Sequence, residues 1–156
     1  AAHKEDGPAV LFEDIKGYPK GYRVLSNSLS SRKRLALTLG LPSGDSFSQD
    51  WAYELSEEFR TRAFFARYLV AYSMPEYGPA EKHVLMQLIL DVANDLLEED
   101  EALEPGVWDK VVALLQADLK LHWDLIEHWA LIGEPLENVF RLTPRMRAVR
   151  EALSEQ

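Results

Sequence analysis

The sequence predicts an α+β fold dominated by helices: a short β element and one helix, followed by a four- to five-helix bundle. Three observations carry this prediction. Runs rich in β-branched and aromatic residues are confined to the start of the chain, where Lys16-Gly-Tyr-Pro-Lys-Gly21 separates two of them. Beyond Phe47 the apolar residues recur every three or four positions, which is the helical period. The charge changes sign at the same place, with seven basic and five acidic side chains over 1–46 against ten and twenty-one over 47–156. We therefore expect a β/α segment at 1–46 and an acidic helical domain at 47–156, joined by a linker at Pro42–Phe47.

The elements follow in order. Ala9-Val-Leu-Phe-Glu-Asp-Ile15 and Tyr22-Arg-Val-Leu-Ser26 read as two strands with a Gly/Pro turn between them. Ser30 or Ser31 is suited to cap a helix through Leu35 and Leu39, which Gly40 ends, with Pro42 just beyond. Trp51, Leu55, Phe59, Ala63, Ala66 and Val70 form one stripe, and Phe64, Phe65, Tyr68 and Tyr72 a second. Apolar residues on both sides predict a central buried helix. Gly78-Pro79 starts an amphipathic helix through Val84, Leu88, Val92 and Leu96. Pro105 opens another through Trp108, Val111, Val112 and Leu115. The stripe His122, Leu125, Ile126 and Trp129 then runs to Gly133, either as a separate helix after Asp118 or as a continuation. Thr143-Pro144 reads as an N-cap and N1 proline before Met146, Val149 and Leu153.

Composition bounds the chemistry. With 156 residues, 47% of them hydrophobic, the chain can bury a core without disulfides or structural metal. Having no cysteine excludes a disulfide scaffold, a thiolate nucleophile, an iron-sulfur cluster and Cys-ligated zinc, and suits a reducing compartment. A net charge of −9 repels phosphate backbones, so no nucleic-acid partner is expected. No apolar run reaches the roughly 18 to 20 residues of a membrane span, and Ala1–Asp6 lacks a signal peptide's apolar core, so a cytoplasmic protein without membrane association is expected. Between Ser73 and Phe140 three basic residues face fifteen acidic ones, whereas the tail from Arg141 returns to net positive. An acidic middle between basic ends suggests electrostatic docking to a protein.

Gly7-Pro-Ala-Val-Leu-Phe-Glu-Asp-Ile-Lys-Gly-Tyr18, Arg23-Val-Leu-Ser-Asn27 and Ser31-Arg-Lys-Arg-Leu-Ala-Leu-Thr-Leu-Gly-Leu41 stand in this order. They resemble the N-terminal segment of the UbiD-family decarboxylases over residues 7–43. That family uses prenylated flavin mononucleotide, usually with a metal at the cofactor phosphate, to add or remove carboxylate on aromatic and unsaturated acids. Its Asn, Arg and Glu acid-base and cofactor set lies well downstream of this segment. Nothing from Phe47 onward resembles the family, so the resemblance carries no catalytic or cofactor-binding residue onto this chain. Two readings of the blocks stand side by side: a remnant or mimic that docks with related subunits, or an appendage on an unrelated helical domain.

The other candidate chemistry is sparse. Asp124 and His128 lie one helical turn apart and read as a surface pair, since two ligands are too few for a metal site. His122 lies on an apolar stripe and reads as a core or interface histidine. Asp91, Asp95 and Glu98 read as a solvated face, and Glu98–Glu101 lacks EF-hand spacing. No Gly-x-Ser-x-Gly, Walker-type or Gly-x-Gly-x-x-Gly motif occurs. Of the tryptophans, Trp108 and Trp129 fall in apolar stripes and read as core. Trp123 falls off its stripe and, with Arg145, Arg147 and Arg150, is the expected partner interface. The expected function is a non-catalytic accessory or small subunit of a UbiD-type carboxylase or decarboxylase. It would bind no cofactor itself, with prenylated flavin mononucleotide in the partner subunit. The alternatives are an acidic inhibitor- or immunity-type module that masks a basic protein and, third, a stand-alone decarboxylase-related enzyme.

Overall fold

Seven α-helices carry the described part of the chain: α1 (Leu29–Leu39), α2 (Trp51–Glu54), α3 (Arg62–Tyr72), α4 (Pro79–Glu98), α5 (Pro105–Ala117), α6 (Leu119–Ala130) and α7 (Thr143–Ser154). The computed structural model describes residues 10–12, 24–26, 29–42, 50–99 and 103–154. Two strands of three residues each, β1 (Val10–Phe12) and β2 (Val24–Ser26), pair antiparallel with Leu11 opposite Leu25. The predicted turn between them and most of the predicted linker lie outside the described residues.

The α+β expectation is therefore corrected: the fold class is all-α. An α+β fold needs a sheet that forms one layer of the core, and a two-stranded ladder of this length makes no such layer. The helices and their connections bury a continuous series of apolar side chains from Leu35 to Leu153.

The chain divides into two compact units, Ala1–Asp91 and Val92–Gln156. In the first, α1 ends where the sequence signals it. Gly40 takes φ +68°, and the Leu41 N–H reaches back to the Ala36 carbonyl at 2.9 Å, which closes a Schellman turn with Leu41 buried. The helix starts at Leu29, so Ser30 and Ser31 lie inside its first turn instead of capping it. Polar contacts fasten α1 to later elements of the unit. Arg34 Nη1 pairs with Glu81 at 3.2 Å and donates to the Glu76 carbonyl at 3.1 Å, Thr38 and Tyr77 share a hydroxyl hydrogen bond, and Arg67 donates to the Leu39 carbonyl at 3.0 Å.

The long helix expected from Trp51 to Tyr72 is broken in three. After α2, Leu55 and Ser56 adopt extended backbone, Glu57–Phe59 makes one 3-10 turn, and Thr61 caps α3 by accepting the Phe64 N–H at 3.3 Å. Within α3 the second predicted stripe is the buried one, at Phe65, Tyr68 and Tyr72 with Ala71 beside them, while Ala63, Ala66 and Val70 of the first are exposed, Val70 at 67%; the first stripe is buried only before α3, at Trp51 and Leu55. The central buried helix is α4 instead. Val84, Leu85, Met86, Leu88, Ile89 and Leu90 are each at most 1% exposed, and so are Val92, Ala93 and Leu96 beyond the unit boundary. The exchange has a plain cause. Between Val84 and Leu90 only Gln87 is polar, so no face of α4 is suited to water, whereas α3 carries Arg62 and Arg67.

In the second unit, Asp118 separates α5 from α6, and α6 packs against both α5 and α7. The buried face of α6 is Leu121, His122, Leu125, Ile126, Trp129 and Ala130, and that of α7 is Met146, Val149 and Leu153. Thr143 does not act as the predicted cap, because its buried hydroxyl has no hydrogen-bond partner. The Leu142 carbonyl accepts the first helical bond, from Met146 N at 3.1 Å.

Candidate protein-interaction surface

The predicted interface residues all belong to the second unit, and each is engaged within it. The Arg145 guanidinium lies 5.5 Å from the centre of the Trp108 ring, which leaves that tryptophan half-buried instead of in the core. Arg150 lies 5.9 Å from the Trp123 ring and pairs with Glu127 at 2.7 Å. Both stacks fall within cation–π range. Trp123 is half-buried beneath its arginine, so the pair presents a flat amphipathic surface at the α6–α7 contact.

Arg147 turns the other way. Its guanidinium donates to the carbonyls of Ala130 at 2.7 Å, Leu131 at 2.5 Å and Glu134 at 2.8 Å. These include the carbonyls that the end of α6 leaves without helical partners, and a cation there also complements the helix dipole. Leu131 is held at φ 44°, the one described residue other than glycine in the left-handed region. The loop beyond it is stitched by Glu134 N to Leu131 O at 3.1 Å, Asn138 N to Pro135 O at 2.9 Å and Thr143 N to Phe140 O at 3.1 Å. Yet it displays Ile132 at 56%, Leu136 at 62% and Phe140 at 39% exposure, with Phe140 set edge-on to buried Trp129 at 4.9 Å.

Sequence reasoning missed this display. Gly133 and Pro135 mark a loop, but the four-residue spacing of Ile132, Leu136 and Phe140 is that of a helical stripe, and exposure alone separates the two.

Asp124 and His128 are exposed on α6, and His128 lies edge-on to Trp129 at 5.5 Å. His122 is fully buried. Asp91 is an ion-pair partner of Arg60, whose guanidinium also donates to the Ala52 carbonyl at 3.1 Å. Glu98 accepts from Asn94 at 3.3 Å. Among the described residues no group of three or more His, Asp or Glu side chains converges as a metal site, and no helix is long and apolar enough to cross a membrane. In the first unit, burial pushes the Tyr68 phenol up to about 12, against the lowering influence of Arg67 and Arg60, and its hydroxyl donates to the Phe59 carbonyl at 2.7 Å.

Residues 1–51 match the family model of the 3-octaprenyl-4-hydroxybenzoate carboxy-lyase N-terminal domain. The UbiD-like character of the N-terminal segment is thereby shown over about a third of the chain. No curated protein and no solved structure matches the chain. Within the matched segment, Ser31 and Arg34 of α1 both bind the Glu81 carboxylate, at 3.4 and 3.2 Å.

Proposed function

We propose that this chain is a non-catalytic accessory or small subunit that associates with a larger UbiD-type carboxylase or decarboxylase. The match of residues 1–51 to that enzyme's N-terminal domain carries this reading. The helix of the matched segment supports it physically. Arg34 and Thr38 tie α1 to its own unit, while Lys33 is exposed and Leu37 is 84% exposed, so the UbiD-like helix keeps an outward face. Prenylated flavin mononucleotide and the acid-base residues belong, on this reading, to the partner subunit in the cytoplasm.

A second reading is favoured by charge. With twenty-one acidic residues against ten basic ones over 47–156, the helical body is suited to mask a basic protein, as inhibitor- and immunity-type modules do. Native mass spectrometry of the chain isolated from its source without oxygen separates the two. A complex with a larger subunit carrying prenylated flavin is the expected result. A chain that travels alone, or with an unrelated basic protein and no flavin, overturns the accessory reading.

A further inference from the structure

We propose that the α6–α7 loop, from Leu131 to Arg141, is a preorganised docking element that inserts Ile132, Leu136 and Phe140 into an apolar depression rimmed by lysine and arginine side chains on a partner protein. The inference names the surface used in the association proposed above, and it rests on that reading only for the partner's identity.

Three independent features of the loop converge. Ile132, Leu136 and Phe140 leave a third or more of their surface in water within one short connection, whereas a single exposed residue such as Leu37 needs no explanation. The loop is rigid by construction. Arg147 gathers three of the carbonyls at its start, its own turns close on themselves, and Asn94 holds its far end through the Leu142 N–H at 3.0 Å. Conformational freedom that is already lost in the free chain is not lost again on binding, which is how a small surface gains affinity. Leu131 carries left-handed backbone that leucine adopts only when its surroundings impose it, as at binding elements.

Charge selects the occupant. From Leu131 to Arg141 the charged side chains are Glu134 and Glu137, which stand among the three apolar residues, and Arg141 at the far end, all exposed, so the loop is net negative at the end of a stretch with fifteen acidic and three basic residues. A second copy of the chain would bring the same acidic rim to the contact, and an anionic lipid surface would be repelled. A basic rim around an apolar depression complements the display on both counts.

The test is isothermal titration calorimetry of the full chain in two arms. The first titrates the prenylated-flavin subunit of the same source, and the second an amphipathic helical peptide of leucine and lysine with a leucine-and-glutamate peptide as control. The pair Ile132→Ser and Leu136→Ser alters exposed side chains only. It is expected to weaken binding in each arm by about tenfold or more, as loss of central apolar contacts does. Glu134→Gln with Glu137→Gln is expected to weaken binding and flatten its salt dependence.

If the flavin subunit does not bind the wild-type chain, the accessory reading fails while the peptide arm still decides the loop. Lysine-peptide binding that is lost in the serine pair upholds the proposal. Binding unchanged by the serine pair, or equal binding of the glutamate peptide, overturns it. So does sedimentation showing self-association that the serine pair abolishes, because the loop would then belong to a second copy.

Discussion

The side-chain oxygen of Asn94 on α4 accepts the backbone N–H of Leu142 at 3.0 Å, so a residue 48 positions away in sequence satisfies the start of α7. Asn94 is itself buried, and its amide nitrogen is turned toward Glu98. Asn94 thus anchors the residue before α7, while the Thr143 hydroxyl that the Thr143-Pro144 pattern predicts as the cap accepts no N–H.

Asn94→Ala leaves that N–H buried without its acceptor. The expected loss is about 1–3 kcal/mol, the cost of an unmade buried hydrogen bond. Urea denaturation measures it, and a wild-type midpoint in the variant would show that another acceptor takes over.

Arg147→Ala removes three charge-assisted bonds at the end of α6. We expect roughly 2 kcal/mol of destabilisation together with faster amide exchange at Glu134, whose N–H closes the loop onto Leu131. Arg147→Lys is expected to recover little, because an ammonium lacks the planar fork that reaches several carbonyls together.

The Arg60–Asp91 pair has side chains only 8% and 16% exposed. Asp91→Asn abolishes the ion pair while Arg60 keeps the Ala52 carbonyl. Removing one partner of a nearly buried pair costs about 3 kcal/mol, more than the pair itself contributes over an apolar replacement. A double-mutant cycle with Arg60→Met tests this: the doubly substituted protein is expected to be more stable than Asp91→Asn alone.

Tyr68 gives a pH dependence with a definite sign. Its folded-state pKa of about 12, against an ordinary value of 10.0, means that the folded protein holds the phenol proton when the unfolded chain has released it. The contribution is fully present below pH 10 and is lost as the pH rises from 10 to about 12. Denaturation midpoints are therefore expected to fall more steeply over that window in the wild type than in Tyr68→Phe. The phenylalanine variant starts lower by about 1 kcal/mol for the missing bond to Phe59. Parallel slopes for the two proteins would remove Tyr68 as the cause.

What was legible in the sequence was local. Pro105 at the start of α5, Gly40 after α1 and the buried row Met146, Val149 and Leu153 depend on residues within one or two helical turns, and there pattern and structure coincide; at Asp118 the pattern left a break and a continuous helix both open, and the structure has the break. The stacking partners of Arg145 and Arg150 and the inward turn of Arg147 were not legible, because each partner lies a turn of fold away from its arginine. The α+β expectation failed for a related reason. β-branched runs state a preference for extended backbone, but only further paired strands convert that preference into a sheet.

Tertiary structure alone decided which apolar stripe of α3 was buried, which helix became central and which apolar residues stayed in water. A stripe records that a face is suited to burial, and burial is then settled by competition among all such faces for a limited interior. Tyr68 and Leu85 won that competition; Val70, Ile132 and Leu136 did not. Chain segments far apart in sequence hold the outcome in place, as when α4 supplies the acceptor at the head of α7 through Asn94.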